Sequence, residues 1–350
     1  VSPKLLLYCR AGFEGECALE IEAGARAAGI AGKARSDNGT GFVVFATDAA
    51  ESALRDALRW RDLIFARQAL IAFAHLPELA RNDRATPILA ALRERDEKFS
   101  EIWTEAPDSD AGRQLAPLCK SFGNALVGAL KKAQLLDARA RRRLHVFFPQ
   151  GDEVYLCAAD PGTVAPWPQG IPRLKFPREA PSRSTLKLEE AFVVLLDDGE
   201  RARWLKPGMT AVDLGAAPGG WTWQLVRRSI RVTAVDNGPM DRALLDSGLV
   251  AHRREDGFRY RPPKPVDWLV CDMVEQPRRV ADLVARWLEQ GWCRRAVFNL
   301  KLPMKRRFDE TTHCLAQIRA GARVVRAKQL YHDREEITVF AASAGSRQTP

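Results

Sequence analysis

The stretch "TAVDLGAAPGGWTWQLVRRS", residues 210–229, decides the fold of this chain. TAVDLGA predicts a strand, and GWTWQLVRRS predicts a helix that follows after a glycine–proline turn. Glycines between a strand and a helix let the backbone approach a ligand closely. The order is Asp213-x-Gly215-x-x-Pro218-Gly219-Gly220, which is not the GxGxxG of a dinucleotide site. A carboxylate ahead of the first glycine would repel a pyrophosphate but suits an ammonium group.

Outward from this unit the alternation is regular. A helix over 185–196 precedes it. Strands over 231–237, 251–256, 266–273 and 295–302 follow, spaced by helices, and strands over 322–332 and 335–343 close the chain. Strand–helix alternation builds a doubly wound, mostly parallel sheet. Only a short turn separates the last two strands, so one of them must run antiparallel. Ligands in such sheets sit at the C-terminal strand ends, near the topological switch point. What ends each strand is therefore the functional question.

The loop Asp213–Trp221 resembles the first motif of S-adenosylmethionine (SAM) methyltransferases, in the GAxPGGW form of the RNA ribose methyltransferases related to FtsJ. That resemblance implies a Rossmann-like domain with SAM as cofactor and S-adenosylhomocysteine as product. Asp236 ends the second strand, 23 residues after Asp213, where a carboxylate can accept both ribose hydroxyls. Asp256 ends the third and could accept from the adenine amino group. Asp272 ends the fourth, beside the methyl donor. No D/N-P-P-aromatic run, which an exocyclic-amino methyltransferase would show, occurs there, nor a Pro-Cys nucleophile. Cys271 alternates to the opposite face and reads as core.

Four charged residues can be gathered at this edge: Lys187, Asp272, Lys301 and Glu335. They look like the Lys-Asp-Lys-Glu tetrad of FtsJ-type ribose 2'-O-methyltransferases. A ribose hydroxyl must lose its proton as it attacks the sulfonium methyl in line. A lysine can take that proton only when neutral, so its pKa has to fall, and ~3 units is roughly 4 kcal/mol. Lys187 is expected to supply the second cation that lowers Lys301, with Asp272 and Glu335 orienting the pair. Glu336 rivals Glu335, because one residue of register exchanges them.

The resemblance continues through GIPRLKFPREAPSRSTLKLEEAF (170–192), VDNGPM (235–240), REDGFRYRP (254–262), VCDMVE (270–275), FNLKLPMK (298–305) and QLYHDREE (329–336). These strings are similar to the bacterial members of the class that methylate a cytidine ribose of 23S rRNA. The resemblance implies that Ser184 and the loop Ala217, Pro218, Gly219 and Gly220 join Asp213, Gly215, Trp221, Asp236, Asp256 and Asp272 around SAM. It implies Lys301 as proton acceptor. Ala216-Ala217 stands where related proteins carry cysteine, and alanine preserves the close approach. Lys305, Arg306 and Arg307 lie beyond Pro303, as phosphate contacts or a solvated helix start.

The amino-terminal part mixes strands (4–9, 41–46, 63–74, 143–149) with helices (15–29, 86–99, 116–136), an α+β pattern without a catalytic constellation. CRAGFEGECALEI (9–21) and LIFARQ (63–68) are similar to the first domain of the same enzymes, implying a THUMP-like RNA-binding region over 1–158. Lys131, Lys132, Arg139, Arg141, Arg142 and Arg143 could contact phosphates or form a solvated turn. Residues 159–184 hold six prolines, which suits a connector, so a linker over 159–183 and a catalytic domain over 184–345 are expected. Trp167, Ile171, Leu174 and Phe176 could tack that linker onto a surface.

Composition agrees with an anionic partner. The net charge is +10, and residues 201–350 carry 27 Lys/Arg against 16 Asp/Glu, so the excess lies in the catalytic half. Seven cysteines without CxxC spacing point to a reduced, cytoplasmic protein with no metal site. No apolar run reaches the ~18–20 residues that span a bilayer. The expected protein is a monomeric 23S rRNA ribose methyltransferase. Another RNA such as tRNA, or a non-catalytic rRNA-binding assembly factor, remains as an alternative.

Overall fold

The structure is a computed structural model that describes residues 4–343; the expected domain end at 345 lies outside the described residues. The chain divides into two compact units, 1–171 and 172–350.

The first unit is built on one seven-stranded sheet. Its elements run β1 (Lys4–Cys9), α1 (Glu14–Ala27), β2 (Lys33–Arg35), β3 (Phe42–Ala46), α2 (Glu51–Ala57), β4 (Ala66–Leu76), α3 (Ala85–Arg95), β5 (Ile102–Glu105), α4 (Asp110–Gln114), α5 (Ala116–Lys132), β6 (Arg143–Gln150) and β7 (Glu153–Ala159). The strand order is β2-β3-β1-β4-β7-β6-β5, with β5–β6 the parallel pair. β7 continues β6 through a tight turn and joins the two halves by pairing with β4. β2, β5 and β7 were not anticipated: β2 and β5 are only three and four residues long, and β7 follows so closely on β6 that the two read as one pattern. Leu126, Leu130, Leu144, Val146, Phe148 and Leu156 form one core. Leu6, Tyr8, Phe147, Tyr155 and Cys157 form a second.

The proline-rich stretch is not a free connector. Val164, Ala165 and Ile171 are buried, and Gln68 clasps Ala165 by accepting from its N–H and donating to its carbonyl. Trp167 sits edge-on to Trp60. Residues 159–171 thus belong to the first unit, whereas Phe176 is 42% exposed.

The second unit holds the sheet that positions the site. Its strands are β8 (Thr210–Leu214), β9 (Arg231–Val235), β10 (Val250–Arg253), β11 (Val266–Cys271), β12 (Cys293–Lys301), β13 (Val324–Lys328) and β14 (Glu336–Ala342). They are arranged β10-β9-β8-β11-β12-β14-β13. All neighbours are parallel except β14, which runs against both β12 and β13. The order reverses direction between β8 and β11, which is the switch point where ligands bind. The helices are α6 (Thr185–Leu195), α7 (Asp198–Trp204), α8 (Gly220–Val226), α9 (Arg242–Asp246), α10 (Pro277–Glu289) and α11 (Arg307–Gly321). In α10, Val280, Leu283, Val284, Trp287 and Leu288 are all buried, the i, i+3, i+4, i+7, i+8 stripe of a helix laid on a core. The seven cysteines are free and buried. Among the described residues no helix is long and apolar enough to cross a membrane.

Candidate active site

The loop after β8 is shaped by its glycines. Gly215 has φ +76°, and a Cβ there would meet the Met273 side chain at 2.6 Å. Gly219, at φ +120°, would meet Leu244 at 2.3 Å, and Gly220 would meet the Ser182 and Ser184 hydroxyls at 2.3 Å. A side chain at any of the three would force the loop or the neighbour it meets to shift. Ser184, bonded to Ser182 at 2.7 Å, is thereby placed against the loop at the start of α6. Pro218 follows a cis peptide bond.

The strand-end carboxylates differ in what they do. Asp236 accepts from Ala217 N at 3.1 Å and Gly238 N at 2.7 Å, pinning the loop to the end of β9. Each of its oxygens keeps a lone pair for a further donor. Asp213 is buried and accepts from Thr222 Oγ1 at 2.7 Å, tying β8 to α8. Burial pushes its carboxyl up to about 7, against the Thr222 bond and with the help of the Asp272 and Asp236 charges. Asp256 lies three residues beyond the end of β10, not at the strand end, where it accepts from Phe258 N and faces Arg259 at 3.6 Å. Trp221 is 3% exposed; it packs inside the unit with its indole N–H unpaired. Cys271 is buried as expected, its thiol pushed up to about 12 by that burial.

Asp272, just past β11, is the hub of the charged cluster. Its Oδ1 accepts from Lys301 Nζ at 2.9 Å and its Oδ2 from Lys187 Nζ at 3.4 Å. Lys187 reaches it from the first turn of α6, and Lys301 is the last residue of β12. The fourth member is Glu336, not Glu335. Glu336 pairs directly with Lys301 in the β12–β14 ladder. It accepts from Lys301 Nζ at 2.7 Å and forms an ion pair with Lys187. Glu335 uses its carbonyl to bind Leu302 N and turns its carboxylate outward, 63% exposed, onto Arg307. One residue of register separates the two glutamates, so they face opposite ways.

The sign of the Lys301 shift also departs from expectation. Burial works to lower its pKa, but Asp272 and Glu336 outweigh that and hold the ammonium above the ordinary lysine range. Glu336 is itself held low: burial opposes this, but Lys187 and Lys301 prevail. At rest the cluster is two ammonium groups interleaved with two carboxylates.

Sequence reasoning missed the residues around this cluster. Glu190, on α6 one turn after Lys187, is buried and accepts from Tyr331 N, His332 N and His332 Nδ1, so it clamps the β13–β14 turn to the helix that carries Lys187. Val274 and Met304, two and three residues beyond Asp272 and Lys301, are 91% and 93% exposed. Of the cations after Pro303, Arg307 is engaged with Glu335 and the exposed Arg306 with Asp309, whereas Lys305 is exposed. In the first unit Arg142 pairs with Glu97 and Arg143 with Glu101, whereas Lys131, Lys132 and Arg139 are exposed.

Comparison with known proteins gives three matched segments. The RlmM ferredoxin-like domain matches residues 3–70. The N-terminal model of ribosomal RNA large subunit methyltransferase M matches 83–159, and the FtsJ-like methyltransferase model 180–329. The first two segments share one continuous sheet here. Ribosomal RNA large subunit methyltransferase M of Xanthomonas oryzae pv. oryzae (strain PXO99A) is 56% identical over 343 residues, 96% of this chain and 98% of that protein. The protein of the same name from Xanthomonas campestris pv. campestris (strain B100) is 56% identical over 344 residues, with the same coverage. The solved structure of TrmN from Thermus thermophilus aligns with 97% of this chain and 99% of its own at 16% identity, with a TM-score of 0.37, too distant to bear on function.

Proposed function

Since the chain belongs to the ribosomal RNA large subunit methyltransferase M family and is an RNA methyltransferase, we propose that it methylates the ribose 2'-oxygen of a cytidine in 23S rRNA, in the cytoplasm, with SAM as donor. The observation that carries this reading is the cluster of Lys187, Asp272, Lys301 and Glu336 beside the glycine loop.

The residues suit SAM by their chemistry. Asp236 offers acceptor positions for a ribose diol beyond its two backbone bonds. The loop 215–220 keeps side chains away from the sheet edge, and Asp213 and Asp272 favour a cationic head group. Ser184, Ala217, Pro218 and Asp256 complete the proposed surround, and Trp221 supports the loop from inside. SAM would supply an electrophilic methyl group on a positive sulfonium.

Lys301 takes the ribose proton in this reading. It must first release its own, and Lys187 makes that release less costly. With two carboxylates and two ammonium groups the cluster is neutral; after the release its net charge is −1 and Lys187 still bridges both acids. Asp272 and Glu336 hold Lys301 from two sides and so fix the direction of its lone pair. Val274 and Met304, exposed just beyond the cluster, offer an apolar lip where the unpaired target base can rest, because enzymes that act on an extruded nucleotide hold its base between aromatic or apolar side chains. Lys305 and Arg306 grip phosphates beside it. The first unit, THUMP-like in this reading, holds the RNA as a whole.

The test is transfer of tritium from labelled SAM to 23S rRNA, followed by alkaline hydrolysis. A 2'-O-methyl group removes the internal nucleophile and leaves an alkali-resistant linkage at one cytidine. Label on a base, on tRNA alone, or on nothing would refute the reading.

A further inference from the structure

Behind the charged cluster a chain of hydrogen bonds runs into the core. Asp272 Oδ1, which meets Lys301, also accepts from Asn299 Nδ2 at 2.8 Å. Asn299 Oδ1 accepts from Thr338 Oγ1 at 2.7 Å. Thr338 Oγ1 lies 3.0 Å from both carboxyl oxygens of Asp333, and Asp333 Oδ2 accepts from Leu330 N at 2.9 Å. Asn299 and Thr338 are 0% exposed and Asp333 1%. Asn299 faces Thr338 in the ladder two residues from the Lys301–Glu336 pair, so all four side chains share one face of the sheet.

Counting protons orients this chain. Asp272, ionised beside two ammonium groups, only accepts, so Asn299 must present its N–H₂ and keep its carbonyl for Thr338. Thr338 has one hydroxyl proton. Given to Asn299, it leaves Thr338 and an ionised Asp333 in contact with no proton between them. Given to Asp333, it leaves Thr338 and the Asn299 carbonyl in the same position at 2.7 Å. A single proton on Asp333 satisfies every contact: Asp333 donates to Thr338, Thr338 to Asn299, and Asn299 to Asp272.

We propose that Asp333 is held protonated at neutral pH and heads a relay, through Thr338 and Asn299, that fixes Asp272 Oδ1 against Lys301. These three are positioning residues, and their effect on methyl transfer rests on the function proposed above. Burial, with the charges of Glu336 on β14 and Glu190 on α6, raises the Asp333 carboxyl far above the usual range, against its backbone bond from Leu330 and against Lys187. A neutral Asp333 also keeps a third negative charge away from Lys301, which already answers to two carboxylates.

The experiment uses the full chain. Infrared spectroscopy at pH 9, where Asp213 has ionised, should show the carbonyl band of a protonated carboxyl group that vanishes in Asp333→Asn. This reads the proton whether or not the protein methylates ribose. In the transfer assay Asp333→Asn, whose amide can donate in place of the acid, should stay within about threefold of wild-type kcat. Thr338→Val should lose at least about tenfold in kcat with KM for SAM and RNA unchanged, and Thr338→Ser should restore it. Absence of the band overturns the proposal. So does Thr338→Val at wild-type kcat, or an Asp333→Asn variant that fails to fold or falls as far as Thr338→Val, since an amide replaces a neutral acid but not an ionised one.

Discussion

Replacing Glu336 by glutamine probes the proton-acceptor role of Lys301 most directly. Lys301 sits 2.9 Å from Asp272 and 2.7 Å from Glu336, and its pKa lies above the ordinary ~10.4 of lysine. At pH 7.4 at most about one molecule in a thousand therefore carries the neutral amine. In wild type, kcat/KM for SAM, which reports the ligand-free enzyme, should climb about tenfold per pH unit from ~8, above the titration of Asp213 at about 7, to ~9.5 without a plateau. Glu336→Gln removes one of the two charged acceptors. A hydrogen bond to a charged group contributes roughly 1.5–3 kcal/mol, and about 1.4 kcal/mol corresponds to one pKa unit. The neutral fraction of Lys301 should thus rise about 10- to 100-fold at fixed pH. Acetylation reacts with the neutral amine, so its rate at Lys301, followed by mass spectrometry over pH 7–9 beside the transfer assay, measures that fraction. A flat kcat/KM profile in wild type, or an unchanged labelling rate in Glu336→Gln, would refute the base role.

Four further outcomes are expected. Lys301→Met should bind SAM as wild type does, by calorimetry, and lose at least about 100-fold in transfer, within the range for a general base; near-normal turnover would remove Lys301 from the chemistry. Asp213, at about 7 in the folded protein, holds a proton that the unfolded chain releases above about 3.9, so its contribution to stability falls as pH rises from ~4 to ~7. The advantage of Asp213→Asn over wild type should then widen by about 2–3 kcal/mol between pH 5 and pH 8 in denaturant titrations; a constant gap would contradict the raised value. The pair Lys305→Ala and Arg306→Ala should lower the salt slope of RNA binding by up to about 2, one per phosphate contact, whereas an unchanged slope would place the grip elsewhere. Met304→Ser, at a site 93% exposed, should leave Tm alone and raise KM for RNA about fivefold, roughly 1 kcal/mol of apolar contact; an unaltered KM would leave the lip without a role.

The amino-acid sequence alone determined the architecture of the catalytic unit and most of its site. The glycine loop, the alternation of strand and helix, and the acids at the C-terminal ends of β8, β9 and β11 are local patterns, each written in a few consecutive residues. Lys187 and Lys301 were legible for the same reason: one opens a helix and the other ends an apolar strand. The tertiary structure decided what depends on neighbours distant in the chain. Glu336 replaced Glu335 because register across β12 and β14 is a property of two strands, and one step of it turns a side chain to the other face. The first half of the proline-rich stretch, residues 159–171, joined the first unit because Gln68, almost a hundred residues earlier, meets Ala165. The relay from Asp333 to Asp272 was hidden in an Asn-x-Lys and a Glu-x-Thr spacing that gain meaning only when the strands pair. The sign of the Lys301 shift was decided last of all. It is the balance of burial against two carboxylates brought from β11 and β14, and no stretch of sequence contains that sum.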